Sequence, residues 1–465
     1  MYNLIKNHKR YYFGKPHIKV LCYRLLGDKR KFIRWYRRHK IRQQNLQNSR
    51  KIINHYKILY PQIKLWLDSS EFNEKYSNHP YPPLLNPNSI DYKSIPAEIA
   101  WDLNLPLPKG YKFLCVMASF NAHTAMVLGL RKCDICIMSD HIANIKAHYV
   151  YNYTNLIRGK IVAINITAYS GANSTYFSDL AKLILMNDKE TPILYLVRDT
   201  VSRLKSALNN SWGKAGVQTC YNADTLPMSA LENRLHYHID INANILDRIA
   251  NSVLDNTFVC ADLCDFLREC GFYKIDFLDA SSIEPKNAFG TFCALAEKYG
   301  FDLPKSKDFL PRAHIAEFSG FLPLELTIKG IEFNLLSRQK DDDSLHEISE
   351  ILPLKKRGIH IYTAKNNANK ISAYICWQLA NFVDKLVAVV EFENKCHKIN
   401  EDALIMLFKR ESTALKFMRE ILQKEARFVS QLCPDIVESW KYYNEFEKMC
   451  AKLDGKELSK DSSNR

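Results

Sequence analysis

No uninterrupted apolar run in the sequence reaches the length of a transmembrane helix, and no signal-peptide core follows Met1, where the chain reads MYNLIKNHKRYYFGK. Both absences lead to the expectation of a cytoplasmic protein. The thirteen cysteines are odd in number and have no framework spacing, so reduced, mostly buried thiols are expected rather than disulfides. Cys133 and Cys136 form one C-x-x-C, but CDICIM alternates like a strand, and no second pair or His pair follows at zinc spacing. No metal site is expected. There is no D-x-D at a strand end, KDDDS at 340–344 reads as a solvated acidic run, and no internal repeat is evident. Acids are almost missing from one end: residues 1–57 hold seventeen Lys or Arg against Asp28 alone, so this stretch accounts for the whole net charge of +15 and the remainder is about neutral.

What is present is enough for a large core, with 47% apolar and 12% aromatic residues, and 465 residues imply two or three structural units. Residues 1–75 read as a basic amphipathic helical arm. In its first sixty residues Leu21, Leu25, Phe32, Trp35 and Tyr36 are interleaved with Arg and Lys. Such helices either pack on the body or lie on an anionic membrane surface. Phosphate backbones attract the same charge, but no nucleic-acid motif accompanies it. Residues 76–110 carry seven prolines and read as an extended, irregular linker over the surface. From there strand-like KFLCVMAS, CDICIMS, KIVAINIT, PILYLV, NTFVCAD and KIDFLDAS alternate with helix-like segments. This predicts an α/β domain over 111–330, with a parallel sheet buried on both faces. Residues 331–455 are expected to form a C-terminal helical region, and 456–465 a disordered tail.

The chemistry-bearing stretch is ILYLVRDTVSRLKSALNNSW, residues 193–212. A buried strand ends at Arg198-Asp199 and a helix-periodic pattern follows at once. Arg198 is rigidly placed, its planar fork suits phosphate or sulfate, and Asp199 or Thr200 can cap the helix. Alternatively Arg198 pairs with a neighbouring carboxylate and closes a loop.

YLVRDTVSRLKSAL resembles the 3′-phosphate-binding segment of the sulfotransferase family, in which an apolar strand, Arg-Asp-Pro and a serine-bearing helix follow one another. Ser206 stands eight residues after Arg198, as in the family; Thr200 replaces the usual proline. Upstream, FLCVMASFNAHTAMVLGL has the family's strand–loop–helix form, with Ser119, Asn121, His123 and Thr124 in the loop that would hold the 5′-phosphosulfate. The family's lysine and loop glycine are not there. Downstream, Asp279 and Glu284 fall near the family's acidic positions, and LKKRGIH (Lys355 to Gly358) faintly resembles its basic-glycine loop. The proline-rich segment, HPYPPLLNP with IPAEIAWDLNLPLPKGY, resembles an uncharacterised bacterial domain family, some members of which are labelled sugar transferases.

The resemblance implies a P-loop/sulfotransferase-like sheet over about 110–305. It implies a transferase that moves a group from a nucleotide donor, adenosine 3′-phosphate 5′-phosphosulfate, to a hydroxyl of a cell-surface glycan or glycolipid. Arg198 and Ser206 would hold the donor's phosphate, and the 119–124 loop its other end. The basic arm would keep such an enzyme at the inner membrane face. His123 and His141 are the candidate catalytic bases; a lone histidine at a strand end can equally be structural. The Ser/Gly/Asn loop 169–175 is placed to meet substrate hydroxyls or is an ordinary polar connection, and His236 and His238 have no third ligand at metal spacing. A nucleotide-sugar glycosyltransferase of capsule or lipopolysaccharide assembly tolerates the missing lysine better, and a non-catalytic anion-binding or scaffolding protein needs no donor at all.

Overall fold

The computed structural model describes residues 46–138, 144–168, 174–213, 219–222, 235–237, 258, 260–306, 318, 320–337, 340, 342, 344–354 and 359–454. In chain order these form helices α1 (Leu46–Leu67), α2 (Ser70–Tyr76) and α3 (Ala97–Asp102), strand β1 (Leu114–Ala118), and helices α4 (His123–Lys132) and α5 (Ile145–Ile157). Next come β2 (Ile164–Ala168), α6 (Ser174–Leu185), β3 (Ile193–Val197), α7 (Thr200–Leu208), β4 (Ser211–Gly213), β5 (Cys220–Asn222) and β6 (Leu235–Tyr237). Then follow α8 (Cys260–Glu269), β7 (Ile275–Asp279), α9 (Pro285–Tyr299), β8 (Leu324–Ile328), β9 (Ile331–Leu336), β10 (Leu345–Glu347) and β11 (His360–Ala364). The chain closes with α10 (Ala373–His397), α11 (Glu401–Arg410), α12 (Ser412–Leu432), α13 (Pro434–Glu438) and α14 (Lys441–Leu453). Two compact units draw on these: the first from 1–197 and 258–309, the second from 198–257 and 310–465.

The first unit is built on a parallel sheet of order β2-β1-β3-β7. LCVMA and ILYLV are buried at every residue, as continuous apolar runs in a sheet covered on both faces must be. β1 is central, pairing Val116 with Ile166 of β2 and with Tyr195 of β3. Helices α4 and α9 approach closely because Gly129 has no side chain: a Cβ there would stand 2.1 Å from the Phe292 ring. The expected parallel α/β sheet is present. CDICIMS contributes only a bridge, Cys136 to Val162.

Two expectations fail in this unit. Residues 76–110 are core rather than surface linker: Leu84, Leu85, Ile95, Ile99, Trp101, Leu103 and Leu105 are buried. Proline removes donors but leaves carbonyls, and side chains supply what those need. Trp66 Nε1 donates to Pro83 O at 3.0 Å, Asn104 Nδ2 to Pro82 O at 2.9 Å and Tyr149 Oη to Leu105 O at 2.8 Å. NTFVCAD, expected as a strand, runs into α8, because Cys260, Leu263, Cys264 and Leu267 recur at helical spacing and are buried together.

The second unit has a sheet of order β10-β11-β9-β8-β5, antiparallel except where β5 meets β8. The region expected to be helical from 331 is therefore strand up to Ala364. β8 and β9 alternate buried and exposed residues, the period of a sheet with one covered face. α10 lays Leu379, Phe382, Val383, Leu386 and Val390 into the same core as Phe333, Leu335 and Ile361. Ala373–Arg410 is long and apolar enough to cross a membrane by length and composition, yet this stripe is engaged with the sheet. Around α7, Arg203 Nη1 pairs with Glu425 Oε2 of α12 at 2.7 Å, both nearly fully buried, and Lys205 pairs with Glu401 of α11 at 3.0 Å. Residues 1–45, His141, 169–173, His238, Lys355 to Gly358 and the tail from 455 lie outside the described residues.

Candidate functional site

In the first unit the chain leaves β1 for β2 on one side and reaches β3 on the other. The carboxyl end of β1 is thus the topological switch point, where open α/β sheets bind ligands. The loop there, Ser119 to Ala122, turns sharply by placing two non-glycine residues, Phe120 (φ 66) and Ala122 (φ 57), in the left-handed region. Each costs about 1–2 kcal/mol relative to glycine-compatible backbone, and such strain concentrates at functional loops. Asn121 fastens the loop from within. It is buried, its Nδ2 donates to Leu196 O of β3 at 2.9 Å and to Cys260 Sγ at 3.4 Å, and its Oδ1 is buried without a partner among the described residues. Asn121 therefore does not stand in for the family's lysine, since its amide protons are committed to the fold.

Ala122 is the N-cap of α4 and offers no side-chain acceptor to the helix. The first-turn N–H groups, which have no intrahelical acceptors, carry the positive end of the dipole toward this loop. His123 is the first helical residue and the exposed Thr124 the second. The His123 ring is oriented by Asn165 of β2. Asn165 Nδ2 lies 3.0 Å from Met138 O and 3.2 Å from His123 Nε2. A carbonyl can only accept, so it fixes which end of the Asn165 amide carries the protons, and Nε2 of His123 must be the acceptor. The neutral ring then carries its proton on Nδ1, as a donor. Asn165 carries no motif in the sequence; only the β1–β2 register, which pairs it with Cys115, brings it to His123.

In the second unit Arg198, half-buried, and Asp199 follow β3 directly, with the expected strand–turn–helix form. Asp199 is the cap, but it does more than close one helix. Its Oδ1 accepts from Val201 N (2.9 Å) and Ser202 N (3.2 Å) of α7, and its Oδ2 from Tyr442 N (3.0 Å) and Tyr443 N (3.1 Å) of α14. Burial raises its carboxyl above the usual range, against the pull of these four donors. The start of α7 is therefore occupied by a carboxylate, whereas the N-cap of α4, Ala122, supplies no side-chain acceptor. Ser206 lies half-buried on α7. Of the acids expected downstream, Asp279 accepts from Ser281 N at 2.8 Å and Glu284 pairs with Lys286 at 3.5 Å; both serve local turns. An open cleft of about 320 Å³ in the first unit, lined by Lys75, His79, Lys189 and Phe266 among others, contains none of the residues singled out in the sequence.

A family described as a protein of unknown function (DUF2972) matches residues 277–453, less than half of the chain. The matched stretch begins in β7 and includes neither the 119–124 loop nor Arg198. No curated protein and no solved structure matches the chain.

Proposed function

We propose that the chain is a transferase whose nucleotide donor places an anionic phosphate group against the 119–124 loop. The observation that carries this reading is an uncapped helix N-terminus, behind two left-handed non-glycine residues, at the switch point of a parallel sheet. Backbone N–H groups of Thr124 and Ala125 and the Thr124 hydroxyl would donate to the phosphate, beside the His123 ring. Such a fixed set of donors stabilises charge spreading over a transferred group without reorganisation. With Nε2 engaged by Asn165, His123 acts as a donor rather than as the base, which leaves His141 as the sequence's other candidate for accepting the hydroxyl proton. By the sulfotransferase resemblance, binding of a donor with a 3′-phosphate would depend on Arg198, and a glycan or glycolipid hydroxyl would be the acceptor. One observation favours a nucleotide sugar as donor: the loop holds no lysine, and Asn121, tied to Leu196 and Cys260, offers no amide proton to a phosphosulfate's bridging oxygen in its place.

A thermal-shift titration with adenosine 3′,5′-bisphosphate, nucleoside diphosphates and nucleotide sugars tests the proposal, since a ligand of the native state raises stability by RT ln(1 + [L]/Kd). Stabilisation by the bisphosphate, lost in both Thr124→Val and Arg198→Ala, is the sulfotransferase outcome. A response to nucleotide sugars that needs Thr124 but not Arg198 is the sugar-transferase outcome. A folded protein that responds to none of them refutes donor binding and leaves a scaffold.

A further inference from the structure

The first two turns of α10 present aromatics outward that the core of the second unit does not use. Tyr374 and Trp377 are 46% and 58% exposed, whereas Ile375, Leu379 and Phe382 of the same helix are buried. Their rings lie 6.2 Å apart with a 36° tilt, and Gln378 Nε2 donates to Tyr374 Oη at 2.6 Å. The β8–β9 hairpin turns on Lys329 and Gly330, both at positive φ. This tight geometry sets Lys329 Nζ 5.7 Å from the centre of the Tyr374 ring. Lys370 ends the short helical turn just before α10, and no acid lies in the first turn of α10.

An exposed Trp–Tyr pair bordered by lysines matches a particular medium. Amphipathic rings gather at the membrane–water interface, and basic side chains near an anionic surface add about 1 kcal/mol each. We propose that this patch is a docking surface for an anionic lipid bilayer, with the two rings at headgroup depth and Lys329 and Lys370 facing lipid phosphates. Because the opposite stripe of α10 is held in the core, the helix lies on the bilayer and does not cross it. The inference uses none of the residues invoked for donor binding, so it stands or falls independently of that reading.

The test uses the full chain with vesicles of phosphatidylcholine, with and without phosphatidylglycerol, whose acyl chains are brominated to quench nearby indoles. Of the six tryptophans, Trp377 is to account for most of the quenching, so Trp377→Phe keeps co-sedimentation while losing it. Tyr374→Ser with Trp377→Ser is to weaken binding to anionic vesicles tenfold or more. Lys329→Glu is to weaken it by roughly fivefold or more, on anionic vesicles only. Quenching unchanged in Trp377→Phe overturns the proposal. So does binding that survives the double serine variant but is lost in Ile58→Ser with Leu65→Ser, two exposed residues of α1. A folded protein that ignores all vesicles overturns it as well, and one whose Trp377 responds only to soluble polyglutamate points to an acidic protein partner in place of lipid.

Discussion

On α5, His148 and Asn152 stand one turn apart, fully buried, and neither the ring nitrogens nor the amide atoms have a hydrogen-bond partner among the described residues. Burial disfavours the imidazolium and pushes the His148 pKa down to about 3. The unfolded chain binds a proton near pH 6.5 that the folded chain refuses, so stability is unaffected above that pH and falls as pH drops toward 3. The slope expected is about 1.4 kcal/mol per pH unit. Equilibrium unfolding between pH 4.5 and 7.5 should therefore flatten in His148→Phe relative to the parent; an unchanged slope would mean the ring titrates normally. Gly129 is the second residue set by its surroundings. Alanine favours a helix by up to about 1 kcal/mol, but here its Cβ meets the buried Phe292 ring, and overpacking costs typically 1–3 kcal/mol. Gly129→Ala is expected to lower the melting temperature of the first unit, and to be better tolerated beside Phe292→Leu.

Asp199 works at the scale of elements, because one carboxylate caps the N-termini of both α7 and α14. Each cap contributes about 1 kcal/mol. Asp199→Ala should then cost about twice as much in denaturant unfolding as a single-cap loss. Asp199→Asn keeps one acceptor, turns N–H donors toward the other helix and falls between. An Asp199→Asn variant as stable as the parent, beside a destabilised Asp199→Ala, would show that only one cap matters. The strands β1 and β3 and helix α7 were legible in the sequence because continuous apolar runs and a capping residue mark them without reference to anything distant. The proline-rich 76–110 segment was not, since counting prolines hides the alternating Leu, Ile and Trp residues that are buried. The strands between 324 and 364 were missed because they are short: β8 and β9 do alternate, but over five and six residues only, and β10 adds three. Of the candidate site, the loop after β1 and the Asp199 cap were readable in place, whereas the role of Asn165 depends on strand register and the second cap on a partner 243 residues away.

At the scale of the whole chain, each unit is assembled from two separated stretches, so sequence continuity is a poor guide to what folds together. The second unit needs α7: Arg203 of that helix pairs with Glu425, each 2% exposed, and β5 completes the sheet beside β8. The stretch matched by the family of unknown function, 277–453, omits both. Expressed alone it would leave Glu425 buried without the Arg203 guanidinium, and losing one partner of a buried pair costs about 3–5 kcal/mol. It would also carry β7 without β3, its partner in the sheet. A fragment of residues 198–454 keeps α7 and β5, at the expense of carrying 258–309 as an unstructured loop, and closing a loop of about fifty residues costs only about 3.5 kcal/mol. Denaturant unfolding followed by circular dichroism should give a cooperative transition for 198–454 and a broad or absent one for 277–453. Replacing Glu425 by Leu should narrow the difference, since it removes the stranded charge. A sharp transition in the 277–453 fragment would instead mean that α12 and its neighbours hold together without α7, and that Arg203 and Asp199 decorate the bundle rather than organise it.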